Sequence, residues 1–372
     1  MKVIFTCGGT AGHINPALAL AGYMQEREPH CEVLFVGAER GLERELIAHT
    51  PYPFRAVRIS SLRRSFSAKD IRHNLIAVRD LLLVRRQAER ILNEEKPDLI
   101  VGTGGYASYP MIRYGAARGI PTAVHESNSI PGLTTQQLEK YCARVMVGFE
   151  ACRVHYRHPE KVVVTGTPVR GEFFAQTKAE ARAALGITDE RPLIVSFWGS
   201  LGAESMNLKM LDFLALEAKE EPFHHIHAVG SLYWNTMQSL LCRLHLTEQE
   251  HPSLQVCEYI YNMATAMVAA DLVICRAGAS TLSELTALGV PAILVPSPNV
   301  TNHHQEKNAD LLASHGAALV LSEEELDGAG LFAAVSEILQ NRDKCAEMSR
   351  NMASLGVQDA TKRLYDCVMS LL

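Results

Sequence analysis

The chain has 372 residues, 47% of them hydrophobic and 21% charged, with a formal net charge of -5. That length exceeds one ordinary core and predicts two domains, and the composition excludes a disordered chain in favour of a folded, soluble one. Nine cysteines, an odd number without a Cys-x-x-Cys pair, argue against a disulfide framework and a structural zinc site.

The start, Met1-Lys-Val-Ile-Phe-Thr-Cys-Gly-Gly, runs directly into a strand and a glycine turn with no room for a signal peptide. No run of about 18 apolar residues follows anywhere, so a cytosolic location is expected. Strand-like runs recur at Val3–Thr6, Val33–Val36, Leu99–Gly102, Thr122–His125, Val145–Val147 and Val162–Thr165. A second set lies at Leu193–Phe197, Ile226–Val229, Leu254–Cys257, Leu272–Cys275, Ala292–Val295 and Ala318–Leu321. Apolar strands alternating with helical patterns predict an α/β fold of two doubly wound domains, each a parallel sheet covered on both faces. The join is expected near Gly166-Thr-Pro-Val-Arg170.

Each half opens on a glycine loop after its first strand, Gly8-Gly-Thr-Ala-Gly12-His13 in one and Gly199-Ser-Leu-Gly202-Ala in the other. Ligands of such sheets bind at the carboxyl ends of the strands, so both loops are expected to face one crevice between the domains. The first loop does not spell Gly-x-Gly-x-x-Gly, and the second strand ends in Val36-Gly-Ala rather than in an acidic residue for a ribose. A nicotinamide or flavin enzyme is therefore disfavoured, and a pair of backbone cradles for phosphate-bearing groups is the expectation.

From Arg55 to Arg90 ten Lys or Arg stand against three Asp or Glu, an excess of seven in an acidic protein. Phe66, Ile71, Leu75, Ile76 and Leu81-Leu-Leu-Val84 interleave with them on a helix predicted from about Lys69. One face of that helix packs on the sheet, and the remainder suits an anionic membrane surface.

The chain is organised around Cys275-Arg-Ala-Gly-Ala-Ser-Thr-Leu-Ser-Glu-Leu-Thr-Ala-Leu-Gly289. An apolar run stops at a small-residue loop, and Leu282, Leu285 and Leu288 then recur at helical spacing. Small residues at a helix start let bare amides approach a phosphate, which the macrodipole favours. Glu284, one turn inside, is placed sideways to accept hydrogen bonds from a sugar diol. The same letters Thr281-Leu-Ser-Glu284 also fit a capping box, in which Glu284 only satisfies a backbone donor.

Metal chemistry finds little support. No Asp-x-Asp occurs, and His125-Glu-Ser-Asn-Ser129 lacks the second histidine of a zinc helix. His225 and His227 share one strand face and His303 is next to His304, neighbours that fifteen histidines produce by chance, so they read as surface or satisfied side chains. No catalytic metal and no cofactor are expected; if a diphosphate leaves during the reaction, helix N-termini and cationic side chains must supply the stabilisation that a metal gives elsewhere.

Six ordered motifs, Gly8-Gly-Thr-Ala-Gly-His13, Gly102-Thr-Gly-Gly-Tyr-Ala-Ser108, His125-Glu-Ser-Asn128, Gly166-Thr-Pro-Val-Arg170, Gly199-Ser-Leu-Gly-Ala203 and Arg276-Ala-Gly-Ala-Ser-Thr-Leu-Ser-Glu284, resemble the MurG family over nearly the whole chain. That family transfers N-acetylglucosamine from UDP-N-acetylglucosamine to lipid I, giving lipid II for peptidoglycan. The resemblance implies a GT-B fold of two Rossmann-like domains around a cleft: residues 1–166 for the acceptor and the membrane, and 167–357 for the sugar nucleotide. A C-terminal helix at 358–371 is expected to cross back to the first domain.

By matching position, the resemblance assigns the ribose to Glu284, the uracil to Ile260, and the diphosphate to Ser200, Ala279, Ser280, Thr281, Leu282 and Ser283. Arg170, Asn128, Gln305 and the Thr10, Ala11, Gly12 loop complete the donor contacts. His13 with Gly104, Gly105 and Tyr106 faces the acceptor. Arg63, Arg64, Lys69, Arg72, Leu75, Ile76, Arg79, Leu82, Arg85 and Arg86 rest on anionic inner-leaflet lipids, at the cytoplasmic face of the cell membrane. Ala11 stands where many relatives have glycine, His304 where a second glutamine can occur, and Arg85 where an aromatic anchor can occur.

Implied partners are UDP-N-acetylglucosamine, lipid I and other cell-wall synthesis proteins, with no nucleic acid. The implied reaction is one inverting displacement: the muramyl 4-hydroxyl attacks the anomeric carbon, UDP departs and a β-1,4 bond forms. His13 is the candidate base because imidazole titrates near neutrality; the competing role is a hydrogen bond to the acceptor diphosphate or a loop cap. A UDP-N-acetylglucosamine 2-epimerase and a diacylglycerol glucosyltransferase of the same fold are the alternatives. The acceptor side discriminates: Gly104-Gly-Tyr106 and His125-Glu-Ser-Asn128 match the muramyl-lipid pattern.

Overall fold

Successive residues of the first strand serve different cores: Val3 and Phe5 join one buried cluster and Ile4 another. Leu99 and Val101 against Ile100 repeat the pattern in a neighbouring strand, as the two-residue period of a sheet covered on both faces requires. In the computed structural model, which describes residues 1–60, 83–300 and 303–372, the chain divides into two units. One is Met1–Val169 with Val357–Leu372, the other Arg170–Gly356.

The first unit holds seven strands: β1 (Lys2–Thr6), β2 (Glu32–Ala38), β3 (Phe54–Val57), β4 (Leu99–Gly102), β5 (Thr122–Glu126), β6 (Arg144–Val147) and β7 (Val162–Val164). All pairs are parallel, in the order β3-β2-β1-β4-β5-β6-β7. The order reverses between β1 and β4, with Thr6 beside Gly102 at their carboxyl ends, so the loops at Gly8–His13 and Gly104–Tyr106 flank the switch point where such sheets bind ligands. β3 is an edge strand absent from the sequence reading. Its Arg55 and Ala56 are exposed, so it lacks the apolar run that marks the others.

The C-terminal helix Ala360–Met369 belongs to this unit. It buries Leu364 and Val368 in the cluster that also holds Ile14, Leu20 and Met24. Tyr365 donates to a Glu28 carboxylate oxygen at 3.0 Å. The apolar face that forces this docking repeats every three or four residues.

The second unit has β8 (Leu193–Phe197), β9 (His224–Ala228), β10 (Leu254–Cys257), β11 (Leu272–Cys275), β12 (Ala292–Leu294) and β13 (Ala318–Val320). They pair in parallel as β10-β9-β8-β11-β12-β13. Its switch point lies between β8 and β11, where Phe197 pairs with Cys275, so the loops Gly199–Ala203 and Arg276–Gly278 flank it. Two Rossmann-like sheets on one chain form the GT-B class of fold expected from the sequence.

No described helix is long and apolar enough to cross a membrane. Arg63, Arg64, Lys69, Arg72, Leu75, Ile76, Arg79 and Leu82, assigned above to a lipid surface, lie outside the described residues. Arg85 and Arg86 lie within and are exposed, Arg85 donating to Glu89 at 2.9 Å. Arg55, Arg58 and Arg90 are likewise paired, with Glu94 and Glu95, Glu39, and Glu94, so part of the positive excess in that window is locally balanced.

Candidate active site

In the second unit the helix Ala279–Leu288 starts where β11 ends, with Gly278 as its N-cap and no side chain capping it. The capping-box alternative does not form: Thr281 and Glu284 both lie inside the helix, three residues beyond the positions a box requires. A side chain at Gly278 would meet nothing within 4 Å, so the space before the helix start is open. The amides of Ala279, Ser280 and Thr281 have no intrahelical acceptor, as for any first turn, and the Ser280 hydroxyl is buried without a hydrogen-bond partner.

Leu282 differs from its neighbours. Its side chain is fully buried and its amide donates to the Gly278 carbonyl at 3.0 Å, so neither is free for a ligand in this conformation. The Ser283 hydroxyl donates to the Ala279 carbonyl. Glu284 is half-buried, and its carboxyl group makes no side-chain hydrogen bond or ion pair among the described residues. Burial pushes its carboxyl up to about 7, against the pull of Arg170, with Glu172 adding to the rise. A carboxylate held in that state, next to bare amides, is a strong unfilled acceptor.

The surrounding residues are placed by their backbone. Gly199, Gly202 and Gly230 all have positive φ, and a Cβ at Gly202 would collide with the Val229 carbonyl; only glycine lets these two loops meet. Ser200 is exposed and its carbonyl accepts from the Ser231 amide at 3.2 Å. Ile260 is buried between Tyr259 and Tyr261, exposed rings 5.2 Å apart. Gln305 accepts from the Ser297 amide at 2.9 Å, which fixes the loop after β12. Arg170 pairs with Glu172 at 2.7 Å and lies over the Phe173 ring.

In the first unit the glycine loop meets the helix Ala11–Arg27 at Thr10, an N-cap whose hydroxyl makes no capping bond but stands 3.3 Å from His13 Nδ1. Gly12 and His13 form the first turn. His13 Nδ1 lies 2.9 Å from the Gly8 carbonyl, and the His13 carbonyl accepts from Thr103 Oγ1 at 2.6 Å. Gly104 and Gly105 have φ of 102° and 78°. A Cβ at Gly104 would stand 2.6 Å from the imidazole, and one at Gly105 would overlap the Gly8 carbonyl. The two loops thus pack backbone to backbone around His13, with Tyr106 half-buried and its hydroxyl held above the usual range by burial and then by Glu43.

Several residues that organise these loops were not legible as such. Glu126, buried, accepts from the amide and side chain of Asn128 and the amide of Gly132, and Thr135 donates to it; it sets the loop that carries Asn128. Arg276 donates to the carbonyls of Val295 and Pro296, pairs with Glu323 at 2.6 Å and lies over Trp198. His125 is wholly buried, its Nε2 on the Gly166 carbonyl at 3.0 Å, and burial lowers it to about 4. His225 and His227 are not surface residues. Both meet Ser196 Oγ, at 2.8 and 2.7 Å, and His225 also meets Glu217.

The chain matches the Glycosyltransferase family 28 N-terminal domain over residues 3–147 and the C-terminal domain over residues 193–364. A protein of Acetivibrio thermocellus named UDP-N-acetylglucosamine--N-acetylmuramyl-(pentapeptide) pyrophosphoryl-undecaprenol N-acetylglucosamine transferase is 40% identical, over all of this chain and 98% of its own. The crystal structure of Acinetobacter baumannii MurG is similar with a TM-score of 0.77 at 28% identity, over 99% of both chains. A UDP-GlcNAc 2-epimerase from Neisseria meningitidis bound to UDP-GlcNAc matches at a TM-score of 0.63 and 14% identity, over all of both chains, a likeness of fold alone.

Proposed function

The chain belongs to the MurG family within glycosyltransferase family 28, and on that premise we propose that it moves N-acetylglucosamine from UDP-N-acetylglucosamine to the 4-hydroxyl of the muramyl unit of lipid I, yielding lipid II. The observation that carries the reading is the uncapped start of the Ala279–Leu288 helix with Glu284 unpaired one turn inside. A diphosphate there accepts from the amides of Ala279, Ser280 and Thr281 and from the Ser280 hydroxyl, and Glu284 accepts from the ribose hydroxyls. Ile260 and Ser200 flank the nucleoside and the phosphates; Arg170, Asn128, Gln305 and the Thr10-Ala11-Gly12 loop serve the donor sugar and diphosphate.

The transfer is a metal-independent inverting displacement. His13 Nε2 takes the proton of the acceptor hydroxyl as its oxygen attacks the anomeric carbon, and the bond to UDP breaks. A carbonyl can only accept, so the Gly8 contact supports a ring protonated at Nδ1 with its Nε2 lone pair open. The negative charge gathering on the leaving diphosphate meets the positive end of the helix. Gly104, Gly105 and Tyr106 hold the acceptor beside that ring.

We propose further that the basic and apolar window from Arg63 to Arg86 rests on anionic lipids of the inner leaflet, at the cytoplasmic face where lipid I is anchored, and that other cell-wall synthesis proteins work beside it. The excess of seven positive charges between Arg55 and Arg90 supports the lipid contact. Co-sedimentation with anionic against neutral vesicles tests it.

Incubation with labelled UDP-N-acetylglucosamine and a short-chain lipid I analogue tests the main reading. Label in a β-1,4-linked disaccharide-lipid is expected, with UDP released one for one. Conversion of the sugar nucleotide to its 2-epimer without an acceptor, or transfer to diacylglycerol alone, overturns it.

A further inference from the structure

We propose that Glu43 is a positioning residue for the transfer, acting on His13 through the single peptide group that joins Gly8 to Gly9. The proposal rests on the reading of His13 as base. Glu43 is fully buried at the start of the Leu42–Ala48 helix. Its Oε1 accepts from the Ala38 amide at 2.7 Å and its Oε2 from the Gly9 amide at 3.2 Å. The Gly9 N–H and the Gly8 carbonyl are the two polar ends of one conjugated unit, and that carbonyl accepts from His13 Nδ1 at 2.9 Å.

A buried carboxylate on the N–H end polarises the peptide and makes its oxygen a better acceptor. It thereby holds the proton on Nδ1 and the lone pair on Nε2. The arrangement does the work of the carboxylate that orients an imidazole in other hydroxyl-activating sites, with a peptide group placed between the two.

The space around the carboxylate is built for it. A Cβ at Gly8 would stand 2.6 Å from Glu43 Oε1, one at Gly37 would stand 2.5 Å from its Cγ, and one at Gly41 would overlap its carboxylate. Glycines from three places in the chain leave room for one buried acid. Gly104 carries no side chain where a Cβ would crowd the Cδ2–Nε2 edge of the imidazole, so that edge stays open to the acceptor while Nδ1 is held. A Gly9 amide engaged by Glu43 is also unavailable to a phosphate, which separates this loop from the bare helix start of the second unit.

Nitrogen NMR of the histidine rings in the full-length wild-type protein reads the relay without any substitution: His13 is expected as the Nδ1–H tautomer, and an Nε2–H tautomer overturns the proposal. Glu43→Gln keeps the side chain's size but turns an NH2 group toward one of the two amides. It is expected to lower kcat at least tenfold, leave KM for the sugar nucleotide within about twofold, and shift His13 toward the other tautomer. In a His13→Ala background the same substitution is expected to cost less than about twofold, since residues acting through one another do not add. An equal loss in both backgrounds shows that Glu43 does not act through His13 and overturns the proposal. A His13→Ala loss under tenfold refutes the base reading instead, while the tautomer of His13 in Glu43→Gln, compared with the wild type, still decides whether the relay exists. Should Glu43→Gln fail to fold, Glu43→Asp, which keeps the charge but shortens the reach to the Gly9 amide, is read in the same two backgrounds, and an equal loss in both overturns the proposal.

Discussion

Glu284→Gln separates what the donor site needs from what the fold prefers. The wild-type carboxyl is held at about 7, chiefly by burial, against an ordinary value of 4.5 in the unfolded chain. Below 4.5 both states carry the proton and the group is neutral to stability. As pH rises, the unfolded chain ionises first, so folding loses free energy until the folded carboxyl ionises too; above 7 the loss is complete. The shift corresponds to a cost on the order of 3 kcal/mol at pH 8.

Glutamine carries no such penalty, so the variant's melting temperature is expected to exceed the wild type's by about 6–12 °C at pH 8, shrinking toward nothing at pH 4. The same change weakens the acceptor offered to a ribose diol, and UDP affinity is expected to fall about tenfold, roughly 1.4 kcal/mol. Scanning calorimetry at the two pH values with titration calorimetry of UDP measures both. A variant that is no more stable at pH 8, or that binds UDP as the wild type does, refutes the reasoning.

Other outcomes follow from the same geometry. Gly278→Asp supplies the missing N-cap and is expected to stabilise the ligand-free protein by a few tenths of a kcal/mol, while its carboxylate repels the diphosphate and lowers UDP affinity at least tenfold; titration calorimetry reads the loss. His13→Ala is expected to lower turnover at saturating substrate by 10²-fold or more, and a loss under tenfold in a steady-state assay removes its role as base. His125 and His227 are buried and neutral, lowered to about 4 and about 3 chiefly by burial. Each binds its proton in the unfolded chain first, so stability falls as pH drops below about 6.5, by roughly 2 kcal/mol per histidine at pH 5. Denaturant melts of His125→Asn and His227→Asn at pH 7 and 5 are expected to show a shallower pH dependence than the wild type.

The architecture was legible because its signal is local. Both-face burial writes an apolar run of three or more residues into β1, β4, β8 and β11, and a parallel sheet follows from the helices between. The edge strand β3 carries Arg55 and has no such run. The bare helix start was legible in the small residues Ala277 to Ser280, but the choice between a capping box and a free Glu284 turned on where the first helical residue falls, and boundaries are the weakest part of a sequence reading. Glu43 was beyond reach because its partners Gly9 and Ala38 come from the loop after β1 and from the end of β2. The buried group of Ser196, His225, His227 and Glu217 was beyond reach for the same reason: His227 faces Ser196 only because β9 pairs with β8, and strand order is not written in either strand alone.

The most direct measurement is a structure of the protein with UDP-N-acetylglucosamine. The diphosphate is predicted on the amides of Ala279, Ser280 and Thr281, with both ribose hydroxyls on the Glu284 carboxylate. A nucleotide bound instead within residues 1–169, or a Glu284 side chain turned away from the sugar, contradicts the account.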